Sequence, residues 1–303
     1  MIQDLKPSAI VTGSTGFIGS HLVDILIDQK WNVIGIDKKF DVPWLNSNCC
    51  YKDIDLSLSS SIPILKQIIQ THKIDYVFHL AAIPNIVQTF DEPIIGHNNN
   101  LTSTINIIES ILNTDVKKII FSSTSALYKD SNLPIDENND IDLLTPYGLQ
   151  KFACENYLKI LFQNTSTQVV CLRYFNVFGE RMKNTGAYCS VLSTFLKQYL
   201  EGSDLTITND GKQTRDFIYV KDVAFANMKV SVSSLDSQFN IFNIGSGVSL
   251  TVNELAEFFK KNKVKYIGNR LEIKHSISNP AKIINIGWSP TVTVKDWVLN
   301  NIS

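Results

Sequence analysis

No run of about 18 apolar residues occurs in this chain, so no membrane-spanning helix is expected. The segment Met1 to Pro7 leads directly into an apolar strand, with no secretory signal expected. Neither sign of charge dominates. The 28 Lys and Arg against 29 Asp and Glu leave a formal net charge of −1. That balance gives no basic footprint for nucleic acid and none for an anionic membrane. Cysteine is sparse and irregular: Cys49, Cys50, Cys154, Cys171 and Cys189 are odd in number and form no Cys-x-x-Cys. They exclude a regular disulfide framework and a zinc cluster, no metal is expected, and scattered thiols fit a reducing cytoplasm. There is no internal repeat, and the polar loop near Asp136 to Asp142 is the one biased segment. What remains is 303 residues, 44% hydrophobic and 19% charged, an ordinary globular composition sufficient for one or two domains.

The first patterned stretch is Ser8 to Val11, a short apolar run closed by Thr12-Gly13-Ser14-Thr15-Gly16-Phe17-Ile18-Gly19. Apolar residues then recur at Ile18, Leu22, Ile25 and Leu26, which is helical spacing. A second strand-like run, Trp31 to Ile36, ends in Asp37, 18 residues after Gly19. Strand, glycine-rich turn, helix, strand and acid is the order of a dinucleotide site. The glycines let backbone N–H groups and the helix N-terminus approach a pyrophosphate, and the acid takes ribose hydroxyls. An acid at Asp37 repels a 2′-phosphate and favours NAD over NADP, against the neighbouring Lys38 and Lys39. Asp53-Ile54 follows the next extended run, either at an adenine edge or as a plain polar strand end. Ile62 to Gln70 is expected as helix and Asp75 to Leu80 as a buried strand ending His79-Leu80-Ala81-Ala82. Small residues at that end leave room for a cofactor. His79 lies within an apolar run and is expected as a satisfied core histidine.

Asn98 to Leu112 is expected as a helix, with Leu101, Ile105, Ile108 and Leu112 on one face. Lys118 to Phe121 is the next strand, ending in four hydroxyls, Ser122 to Ser125. Those hydroxyls are either strand-end caps or ligand groups, at the place where α/β sheets bind their ligands. The stretch Thr145 to Lys151 follows. Thr145 suits an N-cap and Pro146 a first helical residue. Tyr147 and Lys151, four apart, then share one helix face. An ammonium beside a phenol favours the phenolate, so the pair makes a candidate proton-transfer catalyst. Its bland alternative is a tyrosine packed on a lysine stem. Gln168 to Leu172 is a further buried strand, running into Arg173-Tyr174-Phe175-Asn176-Val177-Phe178-Gly179. Beyond it the alternation weakens. Helices are expected over Gly186 to Leu200 and Val252 to Lys261. Arg215 is suited to phosphate, which guanidinium bonds bidentately, or to an ion pair with Asp216 or Asp222.

Taken together, TGSTGFIG, Asp37, Asp53-Ile54, HLAA, Asn100, SSTSALY, PYGLQK, RYFNVFG, GKQTRDFIYVKDV, NIGSG and GWSP resemble the extended short-chain dehydrogenase/reductases. Within these the chain is most similar to the NAD-dependent nucleotide-sugar epimerases and dehydratases, near the UDP-N-acetylglucosamine and UDP-glucose 4-epimerases. The resemblance implies an α/β fold: a Rossmann-type doubly wound parallel sheet with a smaller C-terminal substrate-binding α/β lobe. The NAD-binding part is placed at 1–172 with 218–242 returning to it, and the nucleotide-sugar lobe at 173–217 and 243–303.

The resemblance also implies the site. Tyr147 is the base, Lys151 its electrostatic and ribose-binding partner, and Thr124 the hydroxyl that meets the sugar, with Ser125 its near rival. NAD is implied to lie against Gly13, Gly16, Phe17, Ile18, Gly19, Asp37, Asp53, Ile54, Leu80, Ala81, Ala82, Asn100, Ser122 and Phe175, besides Tyr147 and Lys151. The UDP-sugar is implied to meet Asn176, Ser190, Val191, Thr206, Arg215, Arg270 and Ser276. The similar dehydratases carry Asp-Glu directly after the threonine, and the pentose-forming decarboxylases carry Glu at the position of Ala126. Ser125-Ala126 supply neither, which points to C4 epimerisation. Galactose epimerases restricted to the unsubstituted sugar carry a bulky aromatic at the position of Ser276, and a small residue leaves room for a 2-acetamido group. Thr185 to Tyr188 and Lys274 to Ser276 look like the N-acetylhexosamine enzymes. A homodimer is implied, built by the Asn98–Leu112 and Tyr147 helices. Glu180 stands where these relatives usually have proline.

Overall fold

The computed structural model describes residues 6–129, 134–183, 190–259, 263–268 and 273–302. In chain order the elements are β1 (Ser8–Thr12), α1 (Phe17–Asp28), β2 (Asn32–Asp37), β3 (Cys50–Asp53), α2 (Ser61–His72) and β4 (Tyr76–His79). Two short helices, α3 (Ile86–Asp91) and α4 (Pro93–His97), lead through a π-helical turn at Asn98–Thr102 into α5 (Ser103–Ile111). Then come β5 (Lys118–Thr124), α6 (Pro146–Phe162), β6 (Gln168–Tyr174), β7 (Asn176–Phe178), α7 (Val191–Leu200) and β8 (Leu205–Thr208). The chain continues with β9 (Thr214–Tyr219), α8 (Val220–Val232), β10 (Phe239–Ile244), β11 (Ser249–Thr251), α9 (Val252–Glu257) and β12 (Val264–Ile267). It ends in α10 (Ala281–Ile284) and α11 (Val294–Asn301).

These elements form two compact units, 1–127 with 143–173 and 224–242, and 128–142 with 174–223 and 243–303. The first carries a seven-stranded sheet in the order β10-β6-β5-β4-β1-β2-β3. β1 pairs in parallel with both β2 and β4, so the strand order reverses between β1 and β4. In doubly wound sheets that reversal opens a crevice at the carboxyl ends of the strands, where ligands bind. Every residue of β1 is buried, as a parallel strand covered on both faces requires. α1 buries Leu22, Val23 and Leu26, and a separate core joins Ile10, Ile34, Val77, Ile119 and Phe121 of the sheet to Leu65 of α2, Ile108 of α5 and Leu158 of α6. The second unit holds a three-stranded sheet, β11-β9-β7, and the two-stranded β12-β8. Buried Asp216 organises it by accepting from the backbone and hydroxyl groups of Ser246 and Ser278 and from Gly247 N–H.

The expected helix over Asn98 to Leu112 forms, but its first turn is π-helical. The turn holds the buried Asn100, whose side chain binds Ile83 through both N–H and C=O and donates to Gln150 Oε1 at 2.7 Å. Within the same turn the Ser103 and Thr104 hydroxyls donate to the Asn99 and Asn100 carbonyls, and π-turns are frequent at functional sites. The helix expected from Gly186 begins at Val191, capped by Ser190, and 186–189 lie outside the described residues.

Candidate active site

The carboxyl ends of β1 and β4 are built for close backbone approach. Gly13 has φ +66°, and a Cβ there would stand 2.9 Å from Ala81 N. A Cβ on Gly19 would stand 2.1 Å from Gly13 O. Both positions therefore exclude any side chain, which brings the turn flush against Leu80 and Ala81. α1 begins at Phe17, with Gly16 as N-cap, no side-chain cap and no acid in the first turn. Its positive end and first-turn N–H groups, at Phe17, Ile18 and Gly19, which a helix leaves without an intrahelical acceptor, suit an anion. Asp37 closes β2, and its Oδ2 accepts from Thr15 N at 3.1 Å and Thr15 Oγ1 at 2.8 Å. Asp53 pairs in register with Asp37, and the buried Ile54 donates its N–H to Asp37 O. Lys38 turns to Asp55 and Asn99.

His79 fits the satisfied-core reading. It is fully buried, and burial drives its imidazole down to about 3, so it stays neutral. Thr104 Oγ1 donates to Asn100 O, so it accepts from His79 Nε2–H. Thr12 Oγ1 accepts from Leu80 and Ala81 N–H and donates to His79 Nδ1. The imidazole thus carries its proton on Nε2 and braces the Leu80–Ala82 corner from beneath.

Beside it stands the Tyr147 helix. Thr145 caps α6, accepting from Gly148 N at 3.0 Å, and Pro146 takes its first position. Tyr147 and Lys151 share a buried face of α6. The Tyr147 hydroxyl hydrogen-bonds the side chain of Thr124, at the end of β5. Lys151 Nζ donates to Ser122 O at 2.7 Å, lies 3.4 Å from Ser122 Oγ, and sits 4.6 Å from the Phe121 ring centroid. Its distance to the Tyr147 ring centroid is 6.0 Å. Burial raises the Tyr147 phenol above its ordinary value and lowers the Lys151 ammonium to about 8. Ser125 and Ala126 lie in a single 3₁₀ turn after Thr124.

The sequence-indicated sugar contacts, and Phe175, lie in the second unit. Phe175 is buried and stacks on Tyr128. Asn176 on β7 donates to Asp216 O at 3.1 Å. Ser190 caps α7, which starts at Val191. Thr206 on β8 accepts from Gln198 Nε2 at 2.8 Å. Arg215 Nη1 donates to the carbonyls of Thr214 and Ile273, both at 2.8 Å, where an ion pair with Asp216 or Asp222 was the alternative. Asp216 is occupied by Ser246 and Ser278, and Asp222 by Thr291. Ser276 is buried and donates its N–H to Thr214 Oγ1. Arg270, and Thr185 to Tyr188, lie outside the described residues.

Sheet order, glycine turn and Tyr–Lys face define a dinucleotide-dependent α/β enzyme of the short-chain dehydrogenase/reductase type. The family model described as NAD dependent epimerase/dehydratase family matches residues 9–245, and the chain belongs to that family. It is 34% identical over 308 residues to a putative UDP-glucose 4-epimerase of Methanocaldococcus jannaschii, covering 96% of this chain and 98% of the relative. The UDP-glucose 4-epimerase of Thermotoga maritima, solved with UDP-glucose, superposes with a TM-score of 0.90 at 30% identity over 97% of both chains. The UDP-N-acetylglucosamine 4-epimerase of Methanobrevibacter ruminantium, solved with UDP-N-acetylmuramic acid, gives a TM-score of 0.89 at 34% identity, over 98% of this chain and 97% of that one.

NAD is the cofactor of the family, and the residues here fit it. The side-chain-free cradle at Gly13 and Gly19 admits a pyrophosphate, and the half-buried Asp37 stands at the end of β2. Two buried hydroxyls at the carboxyl ends of the central strands, Ser14 Oγ and Ser123 Oγ, have no partner among the described residues. Such orphaned groups are rare unless a ligand or water completes them.

Proposed function

We propose that this chain is a UDP-sugar 4-epimerase that inverts C4 of a UDP-hexose through a 4-keto sugar, acting on the UDP-GlcNAc/UDP-GalNAc pair. The observation that carries the reading is the buried Tyr147 hydroxyl beside the half-buried Thr124 hydroxyl, with Lys151 one turn on, next to a 3₁₀ turn that holds no carboxylate. Tyr147, as phenolate, takes the proton of the sugar 4-OH. Thr124 hydrogen-bonds the same oxygen and fixes its direction. Lys151, held by the Ser122 carbonyl, supplies positive charge beside the phenol. NAD⁺, when bound, supplies the acceptor and then the donor of the C4 hydride. The keto sugar turns about its diphosphate linkage and Tyr147 returns the proton to the new alkoxide, so the reaction has no net redox. Anchoring therefore belongs to the nucleotide, through Asn176, Ser190, Val191, Thr206, Arg215 and Arg270. A loosely held sugar is what permits the turn. With no acid or base after Thr124, elimination of water lacks its proton carriers.

Ser276 supports the N-acetylated sugar: it is a small buried residue, and the Methanobrevibacter enzyme of similar fold is named for UDP-N-acetylglucosamine. The Thermotoga relative, named for UDP-glucose, favours the unsubstituted pair as the second reading. Incubation with UDP-GlcNAc, UDP-GalNAc, UDP-Glc and UDP-Gal, read by NMR, decides between them. We expect C4 inversion of the first two. Inversion of the last two alone contradicts the N-acetyl assignment, and no inversion of any contradicts the epimerase.

We further propose a homodimer formed through α5 and α6. α6 exposes Leu149, Tyr157 and Ile160, an apolar face that soluble monomers rarely present. Light scattering is expected to give about twice the 34.1 kDa chain mass. The mass of a single chain contradicts it.

A further inference from the structure

Behind the Tyr–Lys pair lies a second charged pair that the mechanism above does not use. Tyr147, Lys151 and Glu155 follow one another at intervals of four along α6 and are all buried on one face. Arg173, on β6, grips Glu155 with both arms: Nε donates to Oε1 at 3.0 Å and Nη2 to Oε2 at 2.7 Å. The two side chains are 4% and 3% exposed. A buried ion pair costs much desolvation, and apolar replacements often match it in stability. Its stability contribution alone therefore gives little reason for its presence one turn from Lys151.

We propose that Glu155 is a positioning residue for Lys151: its carboxylate, tempered by Arg173, keeps the ammonium charged and directed at the end of β5. The proposal rests on the reading of Tyr147 and Lys151 given above. Lys151 is enclosed by β5 through Phe121 and Ser122 O, neither of which carries charge. From α6 it faces Tyr147, Cys154 and Glu155, from β6 Cys171, and from β4 His79, while the Arg173 guanidinium lies beyond, on the Glu155 carboxylate. Burial keeps Tyr147 and both thiols protonated, and His79 neutral. Glu155 is the remaining anionic side chain among these groups. It opposes the desolvation that pulls Lys151 down to about 8. Arg173 limits that help and stops Glu155 from drawing the ammonium away from Ser122.

Removing the Glu155 charge takes away the anion that opposes desolvation of Lys151, so its proton is lost at lower pH. Removing both charges leaves only the smaller difference between a near anion and a farther cation. The order of Lys151 midpoints is therefore wild type highest, Glu155→Gln/Arg173→Gln between, Glu155→Gln lowest.

The test is the ¹³Cε chemical shift of Lys151 titrated with pH in the cofactor-free full chain, assigned with Lys151→Arg. Wild type is expected at about 8. Glu155→Gln is expected lower by about half a pH unit or more, with the double variant partly restored. The alkaline limb of kcat in the loaded enzyme moves the same way, while KM for the UDP-sugar does not. An unmoved midpoint in Glu155→Gln, or a double variant below the single one, overturns the proposal. Should Glu155→Gln fail to fold, the double variant decides: a midpoint below wild type supports the proposal, and one equal to wild type overturns it. Tyr147→Phe separates this result from the underlying reading. An active Tyr147→Phe enzyme contradicts the reading of the site. An inactive one beside an unmoved Lys151 midpoint contradicts only the role of Glu155.

Discussion

Tyr147→Phe is expected to lower kcat by about three orders of magnitude and to leave NAD bound, since positioned proton transfer contributes roughly 10²–10⁴-fold. The substitution keeps the buried ring and removes only the hydroxyl shared with Thr124. A tyrosine with an ordinary value of 10 must fall by about three pH units to act as base near neutrality, roughly 4 kcal/mol. Burial acts the opposite way at Tyr147, so the protein must overcome desolvation as well. Lys151 is one source of positive charge, and the charge that arrives with NAD⁺ is the second. The variant separates binding from chemistry: calorimetry with NAD⁺ reports the first and product formation the second. NAD affinity near wild type with turnover lost is the expected pair of results. Turnover within about tenfold of wild type would remove Tyr147 as the base.

Gly19→Ala is expected to disable the cofactor site from the other side. The added carbon would stand 2.1 Å from Gly13 O and 2.8 Å from Gly13 C, both backbone atoms. No flexible side chain can yield there, so the turn itself must shift. Overpacking of this kind costs about 1–3 kcal/mol. If that cost falls on the bound geometry, NAD affinity drops about 10- to 100-fold. If it falls on the fold, the melting temperature drops by several degrees, about 2–4 °C per kcal/mol for a large domain. Titration calorimetry and thermal melts read the two together. Wild-type affinity and melting temperature would show that the turn has room the glycines do not need.

The features legible in the sequence are those whose chemistry is local. The glycine turn is one, because only glycine meets its backbone contacts. The start of α6 is another, because Thr145 and Pro146 are cap and first-turn residues. His79 was readable as a core residue from its apolar neighbours, but its partners were not: Thr12 and Thr104 are 67 and 25 residues away. The π-turn at Asn98–Thr102 is invisible to a periodicity argument, and so are the bonds of its Asn100 to Ile83 and Gln150, 17 and 50 residues away. Arg215 shows the same limit, since Ile273 is 58 residues on and no spacing rule links them. Glu155 and Arg173 are closest to legible. Glu155 continues the Tyr147–Lys151 interval by one more turn, a signal that a search for i, i+4, i+8 residues would have found.

The measurement that bears most directly on the central claim is the UDP-hexose incubation run with deuterium at C4 of the sugar. Inversion by removal and return of a hydride keeps the label on C4 in both epimers, with none exchanged into water and no net NADH formed. We expect both UDP-GlcNAc and UDP-GalNAc to carry deuterium at C4 at equilibrium. Inversion with the C4 label lost to solvent would mean proton abstraction from carbon, and would contradict the hydride mechanism built on Tyr147 and Lys151.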